Sequence, residues 1–155
     1  MSREILFRAK HIHTMPDNEY LNGTWVEGYL SDEERIYDAE IEGEFLIDKN
    51  TICQYTGLHD KNGKKIWEND VLMCYGNPKR LVQVEFGEFE IFDEAIKTPI
   101  ESVVGWNYKV IPTDRMIACE RFGCPMPLSG WYILAVKMEV IGNIFDNPEL
   151  LQEVE

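Results

Sequence analysis

Apolar and polar residues alternate with a period of two along much of this chain, the pattern of strands that bury one face. Leu81 to Phe86 is the cleanest case, with Val82, Val84 and Phe86 on one face and Gln83 and Glu85 on the other. Gly87 reads as a turn, after which Phe89 to Phe92 returns antiparallel. Ile36 to Glu40, Glu44 to Ile47 and Thr51 to Thr56 read as further strands, and Ile5 to Ile12 as a short mixed one. Asn22-Gly23, between Tyr20-Leu21 and Thr24-Trp25-Val26, signals a two-residue hairpin, because both turn positions need positive φ. Asp60-Lys61-Asn62-Gly63 turns the chain into Lys65 to Cys74, where Ile66, Val71 and Met73 are apolar around a Glu68-Asn69-Asp70 corner. Trp131 to Phe145 reads as a long β-rich run, broken or bulged at Gly142.

The periodicity fades between Asp93 and Gly130, which hold Pro99, Pro112, Pro125 and Pro127 and a weakly helical start over Asp93 to Lys97. A compact domain seldom carries so long a structureless loop, so part of it is expected to be ordered by pairing or a short helix. Its Trp106, Tyr108, Ile111, Met116 and Phe122 read as packing residues. A small helix is predicted at the C-terminal end, with Asn147 as N-cap, Pro148 in the first helical position and Glu149 facing the helix dipole.

Gln54, Tyr55, Thr56, Gly57, Leu58, His59, Asp60, Lys61, Asn62, Gly63, Lys64, Lys65, Ile66, Trp67, Glu68, Asn69, Asp70 and Val71 form one continuous motif. It resembles the core motif of the YopX family, Q-Y-T-G-L-x-D-K-N-G-K-x-I-x-E-G-D-[IV]. Three further segments carry the resemblance along the chain: Arg3 to Lys10, Asn22 to Leu30 and Glu139 to Leu151. Asn69 stands where the family has glycine, a mild departure because asparagine tolerates a left-handed turn. Residues 94–130 align with nothing in the family pattern. The resemblance implies a bacteriophage or prophage setting and an all-β (mostly β) fold: an SH3-like, partly open small barrel with a β-rich N-terminal lobe and a short C-terminal helix. The expected division is a lobe over residues 1–58 and a barrel region over 59–155, with an irregular insertion at about 94–130. Alternation and turn chemistry alone support only "mostly β".

Composition narrows the function. The formal charge is −13, and the densest acidic block is Glu27, Asp32, Glu33, Glu34, Asp38, Glu40, Glu42, Glu44 and Asp48, with Arg35 its sole cation. Phosphate binding depends on Lys and Arg, so this balance argues against non-specific nucleic-acid binding. No apolar run approaches the roughly 18 to 20 residues of a membrane span, and Met1 to Lys10 has no sustained apolar stretch of the signal-peptide kind. The expected location is the bacterial host cytoplasm, with Cys53, Cys74, Cys119 and Cys124 as thiols. Cys119 and Cys124, the one local pair, lack a second ligand pair, and His11 and His13 lack a third ligand; no metal and no cofactor is expected.

The common hydrolase, nucleotide-binding and zincin signatures are absent, and no catalytic residue is assigned. Glu68 and Asp70 read as turn chemistry rather than an acid–base pair. The favoured function is a non-enzymatic accessory protein that binds a host or phage protein, with a homo-oligomer left open. One alternative is a nucleic-acid-binding barrel that stacks bases on Tyr55, Trp67 and Tyr75 beside Lys61, Lys64 and Lys65, joined by Arg3, Arg8 and Lys10. Another is an acidic DNA mimic that occupies a host DNA-binding protein, with carboxylates spaced like phosphates on one face.

Overall fold

The computed structural model describes residues 5–12, 16, 21–93, 95, 98–112 and 126–151. Among them the fold is mostly β, with two antiparallel sheets, one short α-helix and no closed barrel. The chain divides into two compact units, Met1–Gly57 and Leu58–Glu155.

In the first unit β1 (Phe7–Lys10), β2 (Trp25–Asp32), β3 (Arg35–Asp38), β4 (Gly43–Leu46) and β5 (Cys53–His59) stand in the order β4-β3-β2-β1-β5, and β5 continues past the boundary. The register sets Leu30, Ile36 and Phe45 side by side on one face and Tyr29, Tyr37 and Glu44 on the other. Ala9, Val26, Ile36 and Ile47 form the buried core here, with Phe7, Phe45 and Ile52 packed against it. Asn22-Gly23 does turn the chain: Gly23 has φ +83°, and the Thr24 N–H donates to Leu21 O at 3.1 Å. It does not join two strands, because β2 pairs with β1, with Ala9 opposite Val26. Tyr20 lies outside the described residues.

In the second unit β6 (Lys65–Trp67) follows β5, and a separate sheet runs in the order β10-β9-β8-β7-β11. Its strands are β7 (Asp70–Met73), β8 (Arg80–Asp93), β9 (Thr98–Pro112), β10 (Met126–Pro127) and β11 (Glu139–Asn143). Alternate residues feed two cores. Leu72, Val82, Val84 and Tyr108 join Ile66, Ile133 and Met138, while Val71, Leu81 and Ile111 gather with Ile144, Leu150 and Leu151.

Two expectations are corrected in this unit. Gly87 is no turn: β8 runs straight through it, Gly87 lies opposite Gly105, and the strand ends only at Asp93. There the Asp93 side chain accepts the Ala95 N–H at 2.8 Å; of the weakly helical start read at 93–97, Glu94, Ile96 and Lys97 lie outside the described residues. Part of the insertion is ordered by pairing, as expected: it holds the long strand β9, paired with β8 from Thr98 to Pro112. Its two prolines sit at or near the strand ends, where a missing N–H is tolerated. Finally, Trp131 to Phe145 is not one β-run. Gly130–Ala135 is helix α1, capped by Ser129, whose hydroxyl accepts the Tyr132 N–H. Trp131, Tyr132 and Ile133 have strand propensities, which the cap and the inward packing of Ile133 override.

Two smaller readings hold in form. The register of β11 against β7 shifts between Val140 and Gly142, a bulge at the expected glycine. The C-terminal turn is a 3₁₀ helix, Pro148–Leu151, but the Asn147 side chain accepts the Asn143 N–H behind it at 3.2 Å.

Candidate functional site

The motif is built around two buried carboxylates. Asp60 follows β5, and its Oδ1 accepts the N–H of Asn62 and of Lys64, each at 2.9 Å. The turn is closed by the Gly63 N–H to Asp60 O at 3.0 Å and the Asp60 N–H to Lys64 O at 2.8 Å, with Gly63 at φ +83°. Asp60 Oδ2 reaches a distant strand and accepts the Val140 N–H at 3.0 Å. Beside it the Lys61 N–H donates to Met138 O at 3.0 Å, and Glu139 takes the Lys61 ammonium at 3.5 Å and the Asn62 amide at 3.4 Å. Burial works against the Asp60 anion, but the N–H groups of Val140, Lys64 and Asn62, with the Lys64 charge, outweigh it and hold the carboxyl below its ordinary value.

Asp70 does the same work at the β6–β7 corner. It is 1% exposed, and its Oδ2 accepts the Trp67 N–H at 2.8 Å. Asn69 takes the left-handed conformation, φ 69°, that suits the glycine of the family pattern. Its N–H donates to Val84 O at 2.9 Å and its carbonyl accepts the Ile144 N–H at 3.1 Å, so the corner is tied to β8 and to the end of β11.

The remaining motif residues are mostly inside. Tyr55 and Thr56 are buried in β5, and Ile66 and Trp67 in β6. Leu58 packs on the larger core of the second unit, and Val71 belongs to the smaller one. Gly57 has φ +84° and open space around its Cα. Of the three rings read as a stacking platform, Tyr75 is 58% exposed, whereas Tyr55 and Trp67 present no free face. Lys61 is engaged by Glu139. Arg8 and Lys10 lie over the Trp25 ring, at 4.5 and 5.5 Å from its centre; Arg3 lies outside the described residues.

The acidic block behaves differently. Asp32, Glu33 and Glu34 sit at the β2–β3 turn, and Glu40 and Glu42 at the β3–β4 turn, at the other end of β3. All five are exposed. Glu44 shares the outer sheet face with Tyr29 and Tyr37, which are 51% and 37% exposed. Asp32 also shapes its turn: it accepts the Glu34 N–H at 2.8 Å and pairs with Arg35 at 3.4 Å.

The other reactive groups are quiet. Cys53 is buried and its thiol donates to Thr51 O. Burial pushes the Cys74 thiol up to about 11, against the pull of Arg80. Burial, then Tyr132, Cys74 and Tyr75, push Tyr108 up to about 12. His11 is buried edge-on to Phe45. His13, Cys119 and Cys124 lie outside the described residues. Among those described, no three His, Cys, Asp or Glu side chains come together to hold a metal ion, and no helix is long and apolar enough to cross a membrane.

Sequence reasoning missed the participation of Met138, Glu139 and Val140. Nothing local marks them as partners of a turn about eighty residues earlier; only the placement of β11 beside β7 brings them there. A family model described as YopX protein matches residues 6–152, nearly the whole chain. No curated protein matches the chain.

Proposed function

The chain belongs to the YopX family, and on that footing we propose that it is a phage or prophage accessory protein acting as a non-enzymatic protein-interaction module in the host cytoplasm. What supports this reading is a division of labour among its carboxylates. Asp60 and Asp70, the buried acids of the motif, accept backbone N–H groups and hold turns. In the block from Glu27 to Asp48, Asp32, Asp38 and Asp48 likewise hold local turns, but the glutamates Glu27, Glu33, Glu34, Glu40, Glu42 and Glu44 stand exposed, Glu44 beside Tyr29 and Tyr37, where they can steer and select a partner. A base-stacking reader lacks comparable support, since it asks for exposed rings where Tyr55 and Trp67 are buried.

The test is affinity capture from phage-infected or lysogenic cells with the wild-type chain and with a D32N/E33Q/E34Q variant. Asn at position 32 keeps the oxygen that accepts the Glu34 N–H, so the turn is preserved. The expected result is one stoichiometric protein partner, captured more weakly and with less salt sensitivity by the variant. Absence of any stoichiometric protein overturns the interaction reading; equal capture at low and high salt removes the acidic block from it.

A further inference from the structure

The hairpin formed by β8 and β9 outgrows the sheet that holds its base. Among the described residues β7 flanks β8 only from Leu81 to Gln83, with further bonds to Arg80 O and Val84 O, and β10 flanks β9 only at Asn107 and Tyr108, with one more to Trp106 O. The ladder between β8 and β9 nevertheless continues to Asp93 and Thr98. From Phe86 to Trp106 the described chain is therefore a two-stranded arm with one face covered at Phe89, which is buried, and with a strand edge on either side among the described residues, a form that gains stability by adding a further strand.

The arm carries an apolar and acidic pattern. Register places Phe86 opposite Trp106, Glu88 opposite Val104 and Glu90 opposite Ser102, so these six share one face. Phe86 is 52% exposed and Val104 70%, and at the tip Ile100 is 66% exposed. Glu88, Glu90, Asp93 and Glu101 are the charged residues described between Phe86 and Trp106, and the sequence adds Glu94 and Lys97, which cancel. Three of the four carboxylates lie on β8. Lys109, the nearest described cation along β9, is engaged by Glu85 at 2.9 Å.

Resting on the interaction reading above, we propose that the arm is a docking edge for an extended, cationic segment of the partner protein, laid along β8 as an added strand. Backbone N–H and C=O groups of β8 supply the ladder. Lysine or arginine at alternate positions falls beside Glu88 and Glu90, and the apolar remainder covers Phe86 and Val104. Charge decides the occupant: a second copy of the chain would set Glu88 and Glu90 against the same acids, within a protein of net charge −13.

The full-length protein is titrated with a fluorescent peptide of alternating lysine and valine. A block peptide of the same composition and an alternating glutamate–valine peptide serve as controls. The alternating cationic peptide is expected to bind and to protect the amides between Glu85 and Asp93 from hydrogen exchange. An E88K/E90K variant, folded by circular dichroism, is expected to bind about tenfold more weakly or worse, while E33K/E34K in the other unit binds as wild type. Equal binding of the block peptide, unchanged affinity in E88K/E90K, or protection confined to other strands overturns the proposal. So does sedimentation as a stable oligomer that Val104→Glu dissociates, which would make a second copy the occupant. The two readings fail separately: if a protein partner is captured equally by wild type and E88K/E90K, the interaction reading stands and the arm is not its surface.

Discussion

The motif from Tyr55 to Val71 and the arm from Phe86 to Trp106 lie close in sequence, and both are β-structure, yet their backbones are held in different ways. In the motif, side chains close the turns, Asp60 taking three N–H groups and Asp70 that of Trp67, while the backbone of Asn69 ties its corner to β8 and the end of β11. In the arm, the described bonds are almost wholly the ladder between β8 and β9, with Ser102 and Glu88 joined across it. Recognisable sequence thus marks the part where individual side chains fix the backbone. The arm needs only alternation, which many sequences supply, and opening should begin at its tip, beyond the buried Phe89, where the described residues are mostly exposed.

The sharpest way to break this comparison is to remove Asp60. Asp60→Ala leaves three backbone N–H groups without their acceptor, and unfolding in urea should show a loss of about 3 kcal/mol or more. Glu90→Ala, an acid of the arm, should cost less than about 0.5 kcal/mol. Comparable losses would mean that the arm is as firmly held as the motif.

Glycine offers a second contrast. Gly57→Val should cost about 1–3 kcal/mol through its left-handed backbone alone, since nothing lies within 4 Å of the added carbon. Gly87→Val meets the same open space without a left-handed φ, and in a strand it should be neutral within about 0.5 kcal/mol or stabilising. Equal melting temperatures for the two variants would contradict the distinction.

A weaker effect is expected from acid. Because the folded protein holds Asp60 below its ordinary value of 3.8, the native state binds that proton less readily than the unfolded chain. Its stabilising contribution is complete above that value and lost as pH falls through the lower folded one. The stability gap between wild type and Asp60→Asn, measured by denaturation at a series of pH values, should shrink on acidification below 3.8; a gap that widens would reverse the sign. The smallest effect concerns thiols: Cys53 and Cys74 should stay unmodified by an alkylating reagent in the native protein at neutral pH, as read by peptide mapping.

Legibility follows the same divide. The turns at Asp60 and Asn69 could be read because their chemistry is contained within a few residues, and the strands over Ile36 to Ile47 because alternation and turns agree there. Gly87 misled because a glycine that the strand merely tolerates looks like one that a turn requires. Trp131 to Ala135 misled because its apolar run has no clear period, and the deciding signal, the Ser129 cap, is a single residue. The placement of Val140 over Asp60 was beyond local reading altogether, since it depends on where β11 pairs, about eighty residues on.

That placement has a consequence for how the chain is made. Two of Asp60's three bonds are to its own turn and can form as soon as Lys64 has been synthesised. The third spans eighty residues and must wait for β11, after the whole β8–β9 hairpin has been laid down. Closing so wide a loop carries an entropic cost that only late contacts repay. During translation the turn is therefore primed early and latched late, by a strand eighty residues further on.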